Sequence, residues 1–388
     1  MKVVFINLHH NNFLLNNYSQ LISGYKIKTY KHKFLLDFFI NGKIEIVNLI
    51  VSNNVDNAEV EKRKADYVFE KNNVRVGSIR NTFNTDVVDS MDICFVYFHN
   101  FTEYIYSKRL KCKKVLMSNH FIRVKKGQYF NLYEDGFVAF VGETDFSENA
   151  FVNTYFNLNN VEVVVCPYIY TKRFCQKKSL DERKNKLLAI GTLSTVKGIE
   201  EYSGYVDYFK TEWVQPFGAE IKKRQFFNRR WLDSEVSYIN QGHMSEKKSD
   251  SILIKSIKRM YNSSHERQGK YLSYDIVDKY NEYKIFVRPE EMVGNPSINM
   301  VEGMACGTVY MGANKDMYEP LGMKPGIHYI LYDGTFKDLK KQFLYYINQK
   351  ERLSEISERG KKLVRERFEP NIVAKDFWET IKQLSSMS

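Results

Sequence analysis

Cysteine is scarce in this 388-residue sequence, and its spacing excludes the sites that cysteine most often builds. The five cysteines form no Cys-x-x-Cys pair and lie far apart, at Cys94, Cys112, Cys166, Cys175 and Cys306. An odd number at such wide spacing indicates neither a zinc site nor a disulfide framework. Reduced thiols are typical of cytoplasmic proteins, so we expect a cytoplasmic location.

Long apolar runs are missing too. No stretch approaches the roughly 18 residues that a membrane helix requires, and mean hydropathy is −0.45. The apolar run Lys2–Leu8 is too short for a signal peptide and is followed at once by polar residues, so it predicts a first β-strand. The sequence also shows no internal repeat, no RNA-binding signature and no convincing Asp-x-Asp metal motif.

Positive charge dominates, because 58 Lys and Arg stand against 46 Asp and Glu and give a net charge of +12. Such a chain attracts polyanions, including nucleic acid, acidic lipid headgroups and phosphorylated substrates. Part of the charge is clustered, at Lys111–Lys114 and Arg123–Lys126. Either cluster can equally be an ordinary solvated surface.

Strands alternate with helices along most of the chain, which predicts an α/β fold with parallel sheets. In the first half, apolar runs predict strands at Lys2–Leu8, Lys43–Val51, Asp92–Phe98, Lys114–Met117, Phe137–Val141 and Val161–Val165. After a polar linker the pattern restarts, with predicted strands at Lys186–Ile190, Tyr283–Val287, Thr308–Gly312 and Gly326–Tyr332. The length favours two domains. We place the first at residues 1–170 and the second at 175–370.

Two other regions complete the predicted organisation. Residues 224–269 are polar and basic, and we interpret them as a partly helical insertion. The end of the chain is helical, and its last helix has an apolar stripe of Val373, Phe377, Trp378 and Ile381. A helix that follows a break at Pro370 can cross back, so we assign residues 371–388 to the first domain.

The segment 288–307 carries the clearest chemical pattern in the sequence. Asn295 is a good N-cap residue, and Pro296 suits the first position of a helix. Gly307 suits the left-handed position that ends a helix. These residues predict a helix of about ten residues between two strands.

The start of this helix is a candidate anion site. It follows the strand Tyr283–Val287, and ligands bind beyond the carboxyl ends of strands in open parallel sheets. Free backbone N–H groups at Ser297 and Ile298 would meet a diphosphate there. One to two turns deeper, the Glu302 carboxylate can accept hydrogen bonds from the hydroxyls of a ribose, or it can be an ordinary helix residue.

Glu302–Gly307, with the sequence Glu-Gly-Met-Ala-Cys-Gly, closely resembles the end of a known signature. The signature belongs to glycosyltransferase family 4 (group 1), retaining enzymes of GT-B fold: a proline, a glutamate-containing loop, seven spacer residues and Glu-Ala-Met-Ala-Cys-Gly. The resemblance implies that Glu302 binds ribose. Where the signature has its first glutamate, this sequence has Gly294. Glu290 and Glu291 lie slightly upstream, and a small insertion would bring Glu291 to the donor sugar in a catalytic role.

A second stretch resembles the same family in the expected order. Residues 188–198 are similar to the family's strand followed by Gly-Arg-Leu and Glu-Lys-Gly. The resemblance implies that Gly191, Thr192 and Lys197 lie at the phosphates of a nucleotide sugar. Lys197 takes the place of the family's phosphate-binding lysine, whereas Thr192 replaces an arginine, so the diphosphate loses one cation.

The first half of the chain supplies two candidate groups of its own. Val115–His120 resembles a family strand that ends in a histidine facing the donor sugar, which implies a catalytic role for His120. The family's glycine-rich loop after the first strand is absent, and His9, His10 and Asn11 stand in its place. Their side chains can hydrogen-bond to a phosphate or an acceptor.

The resemblance implies a GT-B fold of two facing Rossmann-like domains, with parallel sheets and helices on both faces. The N-terminal domain would bind the acceptor and the C-terminal domain the nucleotide sugar. It further implies transfer of a hexosyl unit from a nucleotide-diphosphate sugar, a UDP-sugar or GDP-sugar, to a glycan, lipid-linked or other acceptor. Transfer would retain the anomeric configuration and need neither a metal nor another cofactor.

Several alternatives stay open. Paired glutamates also suit a glycosidase, although a hydrolase needs no anion-binding helix. The charge of +12 suits a basic nucleic-acid-binding or scaffolding protein. Gly294 in place of glutamate suits a degenerate member that binds a nucleotide sugar and transfers nothing. For the transferase we expect no nucleic-acid partner, but peripheral contact with the anionic inner face of a membrane.

Overall fold

The computed structural model describes residues 1–6, 34–35, 38–39, 42, 44–50, 63, 78–81, 86–98, 104–105, 107–118, 121–239, 251, 253–254, 256 and 275–386. The chain divides into two compact units. Unit 1 comprises Met1–Ile169, Glu200–Tyr208 and Glu369–Ser388, and unit 2 comprises Tyr170–Ile199 and Phe209–Phe368. Within the described residues, no helix combines the length and apolar character that crossing a bilayer requires.

The strands of unit 1 are β1 (Lys2–Ile6), β2 (Glu45–Ile50), β3 (Ser78–Asn81), β4 (Ile93–Tyr97), β5 (Lys113–Met117), β6 (Phe130–Asn131), β7 (Phe137–Gly142), β8 (Phe156–Asn157) and β9 (Glu162–Val165). Those of unit 2 are β10 (Lys184–Ser194), β11 (Leu232–Ile239), β12 (Tyr283–Val287), β13 (Val309–Gly312) and β14 (Ile330–Leu331).

The α-helices are α1 (Asp86–Asp89), α2 (Ala150–Tyr155), α3 (Ser203–Phe209), α4 (Pro216–Arg224), α5 (Ile276–Glu282), α6 (Ile298–Ala305), α7 (Lys315–Tyr318), α8 (Phe336–Ile347), α9 (Lys350–Arg367) and α10 (Pro370–Ser386). In the described part of the chain, 3₁₀ turns lie at Glu200–Tyr202 and Glu319–Leu321.

Unit 1 is built on a seven-stranded sheet in the order β3-β2-β1-β4-β5-β7-β9, and every pairing in it is parallel. The central strand β4 is buried along its whole length, as its unbroken apolar run predicts. Helix α10 packs on this sheet through the predicted apolar stripe, and Trp378 meets Phe39 edge to face at 4.8 Å. The parallel sheet predicted for the first half of the chain is therefore present.

The basic clusters predicted as possible polyanion surfaces are engaged within unit 1. Lys125 pairs with Glu200 at 2.9 Å, and Lys126 pairs with Asp207 at 3.1 Å. The Lys114 ammonium is buried and donates to a backbone carbonyl, that of Leu110. Part of this charge is therefore already partnered within unit 1, and less of it is available to a polyanion than the sequence indicates.

Unit 2 contains a five-stranded, all-parallel sheet in the order β11-β10-β12-β13-β14. Its core is apolar and is completed by side chains of the helices α4, α8 and α9 that flank the sheet. Both units thus have the predicted α/β architecture, with parallel sheets flanked by helices.

One prediction for unit 2 was wrong. Part of the supposed insertion 224–269 forms the edge strand β11, which runs parallel to β10. The sequence does not predict this strand, because among its residues whose burial is described only Leu232 and Val236 are apolar and buried. The three residues between them are polar, so no apolar run marks the strand. The charges among them are neutralised locally, since Asp233 pairs with Lys186 at 3.1 Å and Glu235 pairs with Lys279 at 3.4 Å.

Candidate functional site

The candidate site lies in unit 2, at the carboxyl ends of β10 and β12. After β10, the chain forms β11 on one side of β10 and then β12 on its other side. The strand order therefore reverses between β10 and β12. Ligands of open parallel sheets bind in the crevice at such a switch point. The predicted nucleotide-binding residues of both stretches lie in the last part of β10 or after the ends of β10 and β12, so the topology brings them to one edge of the sheet.

Helix α6 begins two residues later than predicted. Its N-cap is Ser297, whose extended backbone lets the hydroxyl accept a hydrogen bond from the Asn299 N–H at 3.1 Å. The predicted cap, Asn295, was wrong, and Pro296 accordingly precedes the helix. Serine and asparagine are comparable caps, and here the serine hydroxyl reaches an amide of the first turn. The Oδ1 atom of Asn295 is instead buried, with no hydrogen-bond donor among the described residues.

The first amides of α6 lie where the sequence predicts an anion site. The Met300 N–H donates to the Ser297 carbonyl, and the Asn299 N–H to the Ser297 hydroxyl. The amides of Ser297 and Ile298 precede these bonds and find no acceptor among the described residues. With the positive end of the helix dipole, they can stabilise an anion in the switch-point crevice.

The loop between β12 and α6 is held by backbone contacts to neighbouring segments. The Met292 N–H donates to the Val214 carbonyl at 3.1 Å, and the Gly294 N–H closes a turn onto the Glu291 carbonyl at 2.8 Å. Gly294 itself has φ +76, a left-handed conformation that glycine adopts without strain. A Cβ atom there would lie 1.9 Å from Nδ2 of Asn314, so a side chain at this position would have to displace the Asn314 amide.

The two upstream glutamates occupy different environments. The Glu290 carboxylate accepts hydrogen bonds from the Ala313 N–H at 2.8 Å and from the Tyr318 hydroxyl. Burial raises the pKa of Glu290, although these two bonds oppose the shift. Glu290 therefore ties the end of β12 to the end of β13. Glu291 is half-buried at the start of the Gly294 turn, and its catalytic role stays a prediction.

Glu302 is buried in the second turn of α6, with 6% of its surface exposed. At about 1.5 Å of rise per residue, its Cα lies roughly 7 Å along the helix from the Ser297 cap. The next residue explains one departure from the family signature. A Cβ atom at Gly303 would lie 2.4 Å from Cζ of Phe286, a buried ring on β12, so the alanine of the signature does not fit here.

The C-terminal end of α6 is fixed by a buried residue that the sequence analysis missed. Gly307 has φ +73 and ends the helix as predicted. The guanidinium of Arg183 donates to the Cys306 carbonyl at 2.8 Å, the Lys178 carbonyl at 2.9 Å and the Thr308 hydroxyl at 3.0 Å. A positive charge is favourable at a helix C-terminus. No local pattern marks Arg183, because its partners are 97 or more residues away or in an irregular turn.

The end of β10 contributes the second side of the crevice. This strand runs to Ser194, four residues beyond its predicted end, so Gly191 and Thr192 lie within it and pair with β11. Gly191 has φ +140. Lys197 follows the strand, and its exposed ammonium pairs with Glu212 at 3.4 Å. Gly191, Thr192 and Lys197 are thus on the same edge of the sheet as the α6 N-terminus.

The remaining predicted site residues, His120 and the group His9, His10 and Asn11, lie outside the residues that the structure describes. Among the described residues, no group of three or more His, Cys, Asp or Glu side chains is arranged to hold a metal ion.

The fold is similar to that of solved glycosyltransferases over the full length of the chain. HepE of Anabaena in complex with UDP and glucose is 10% identical, has a TM-score of 0.54, and is matched over 99% of this chain and 100% of that one. Sucrose-phosphate synthase of Thermosynechococcus elongatus is 8% identical with a TM-score of 0.53 and full coverage of both chains. The chain has the GT-B fold.

A glycosyltransferase of Rickettsia africae is similar as well, with 11% identity, a TM-score of 0.50 and coverage of 100% of this chain and 99% of that one. HepE structures with UDP and with UDP-glucose also match. No family model matches the sequence, and no curated protein matches it significantly. At identities near 10%, these similarities establish the fold and leave the activity to the residues of the site.

Proposed function

We propose that the protein is a glycosyltransferase that moves a hexosyl unit from a nucleotide-diphosphate sugar to a glycan, lipid-linked or other acceptor. One observation carries the proposal. In a chain of GT-B fold, the switch-point crevice of unit 2 is bordered by the α6 N-terminus, with the buried carboxylate of Glu302 in the same helix. This arrangement supports the proposal, because a diphosphate at the start of α6 would leave the ribose to be bound by the Glu302 carboxylate further along the same helix.

The chemistry of the proposed reaction is electrostatic. As the glycosidic bond to phosphate breaks, positive charge develops on the sugar and negative charge on the leaving nucleoside diphosphate. The amides of Ser297 and Ile298 would stabilise the leaving group, assisted by the Lys197 ammonium. In this proposal, transfer proceeds with retention and without a metal ion. Glu291 and His120 would contact the donor sugar, and His9, His10 and Asn11 would lie at the phosphate or the acceptor.

UDP is the first donor nucleotide to test, because the HepE structures of similar fold hold UDP, UDP with glucose, or UDP-glucose. GDP and ADP are the alternatives. Calorimetric titration without metal should show micromolar binding of one of the three to the wild type. In Glu302→Ala the binding free energy should fall by about 1.5–3 kcal/mol, because a charged hydrogen bond to ribose is lost.

Two variants make the test specific. Glu302→Gln keeps the shape of the buried side chain and should also weaken binding, whereas Glu366→Gln changes an exposed carboxylate of α9 and should leave it unchanged. Thermal unfolding of each variant separates lost binding from lost folding. If the wild type binds none of UDP, GDP, ADP, CMP or dTDP, the transferase proposal is rejected.

We also propose that the protein is cytoplasmic and contacts an anionic membrane surface peripherally. The candidate surface is the exposed turn between α4 and β11. Phe226 and Phe227 are 64% and 90% exposed, and the ring of Phe226 lies under the guanidinium of Arg229 at 5.1 Å. Exposed cations flank them at Lys223, Arg224, Arg229 and Arg230. Aromatic side chains between cations suit the boundary between phosphate headgroups and acyl chains.

Sedimentation with vesicles tests this surface. The wild type should bind vesicles of 70% phosphatidylcholine and 30% phosphatidylglycerol at low salt and pure phosphatidylcholine weakly. Replacing Phe226 and Phe227 together by serine should reduce the partition coefficient about tenfold or more, because two apolar rings leave the membrane. Tyr345→Ser, at another exposed aromatic residue, is the control. Equal vesicle binding by the double variant, or tight binding to duplex DNA with none to vesicles, would contradict the proposal.

A further inference from the structure

Within the part of the chain that the structure describes, the phosphate side of the candidate site has little positive charge. The family signature implies an arginine where this chain has Thr192. The remaining predicted cation, Lys197, is exposed to solvent and already paired with Glu212. An exposed and partnered ammonium contributes little to binding an anion in water. A second cation among the described residues would therefore strengthen the binding of a diphosphate in the crevice.

Arg288 occupies the position from which such a cation can act. It is the first residue after β12, on the carboxyl side of the switch point. Its side chain lies across Gly191 of β10, because a Cβ atom at Gly191 would be 3.1 Å from Arg288 Cγ and 3.7 Å from Nε. The missing side chain of Gly191 thus makes room for the arginine at the end of the strand that carries Thr192.

The bonding of Arg288 leaves its guanidinium available. Nη1 donates to the adjacent Pro289 carbonyl at 3.2 Å, whereas Nε is buried and has no acceptor among the described residues. No carboxylate of the described chain forms an ion pair with it. The nearby Glu290 carboxylate is occupied by the Ala313 N–H and the Tyr318 hydroxyl. A buried donor without an acceptor is unfavourable, so an arriving anion would satisfy it.

We propose that Arg288 binds the diphosphate of the donor and supplies the charge that Thr192 does not. The proposal rests on the proposed function, since it names a further ligand of the same site. The guanidinium would contact phosphate oxygens from the β10–β12 side, while the α6 amides contact them from the helix. Arginine suits this task because its planar fork donates two hydrogen bonds to one phosphate.

Titration of UDP, UMP and uridine separates the diphosphate contacts from those of the nucleoside. Arg288→Gln should weaken UDP binding about tenfold or more and leave uridine binding within about twofold, because only the phosphate contact is lost. Arg288→Lys should give an intermediate loss. The double variant Thr192→Arg with Arg288→Gln moves the cation to the family position and should recover part of the affinity for UDP.

The outcomes distinguish this inference from the proposed function. If UDP binds Arg288→Gln as tightly as the wild type, or if UDP and uridine weaken by the same factor, the assignment of Arg288 is overturned while the nucleotide site stands. If the wild type binds none of UDP, GDP, ADP, CMP or dTDP, both proposals fail. If Arg288→Gln does not fold, the affinity for UDP and its salt dependence can be compared between Arg288→Lys and wild type. Equal affinity and equal salt dependence would exclude a bidentate contact between Arg288 and a phosphate.

Discussion

Gly294→Glu, which restores the glutamate of the family signature, is expected to destabilise unit 2 and to weaken nucleotide binding. Gly294 has φ +76, which disfavours any residue with a Cβ atom by about 1–2 kcal/mol. The new Cβ would also start 1.9 Å from Nδ2 of Asn314 and 3.1 Å from Cγ of Met317. Displacing these groups adds to the loss, so we expect the free energy of unfolding to fall by about 2–3 kcal/mol.

Gly198→Ala is the matched control for this prediction. Gly198 has φ +74, but a Cβ atom there would meet no atom within 4 Å. It should therefore lose about 1 kcal/mol, from backbone strain alone. Gly294→Ala should lose more than Gly198→Ala, and the difference measures the collision with Asn314. Urea unfolding and UDP titration give both quantities. A Gly294→Glu variant that is as stable as wild type and transfers sugar faster would contradict this prediction. It would show that the loop accepts the glutamate of the family signature at position 294.

The parallel architecture was predictable because strands that are buried on both faces of a parallel sheet have continuous apolar sequences. Tyr283–Val287 is buried at all five positions and forms the strand over the predicted bounds. The end of α6 was predictable for a similar reason, since Gly307 adopts the left-handed conformation that few other residues accept. The strand Tyr283–Val287 and the end of α6 were therefore predicted correctly, because the residues of each segment themselves determine its structure.

Features that depend on partners distant in sequence were not predicted. The strand β11 is obscured by charged residues whose partners, such as Lys186 and Lys279, lie 44 or more positions away. The start of α6 was predicted wrongly for a local reason, because two good cap residues lie two positions apart and Ser297, not Asn295, caps an amide of the first turn. Arg288 follows a strand as any solvated arginine can, and only its position across Gly191 distinguishes it.

Arg183 is the extreme case of such a distant contact, and its removal should have the largest effect on stability. Only 4% of its surface is exposed, and its guanidinium donates to three carbonyls and to side-chain oxygens of Asn281 and Thr308. Burial lowers its pKa to about 10, so it remains charged at neutral pH. In Arg183→Ala several buried acceptors lose their donor, and the free energy of unfolding should fall by about 3–5 kcal/mol.

The planar shape of the Arg183 guanidinium predicts that its variants lose stability to different degrees. Arg183→Lys keeps the charge near the α6 C-terminus but cannot reach carbonyls on both sides, so it should lose roughly half as much stability. Arg359→Ala removes an exposed arginine whose ion pair with Glu355 spans 3.7 Å, and it should change stability by less than about 0.5 kcal/mol. Urea unfolding of the three variants measures these values.

Nucleotide binding by the same variants separates a structural role from a direct one. Arg183 bonds to the C-terminal end of α6, whereas the proposed phosphate contacts are at its N-terminal end. At a temperature where Arg183→Lys remains folded, its affinity for UDP should therefore stay within a few fold of wild type. Arg288→Gln should show the reverse pattern, with stability kept and affinity lost. If Arg183→Ala is as stable as wild type, the hydrogen bonds of the buried guanidinium do not hold the C-terminal end of α6.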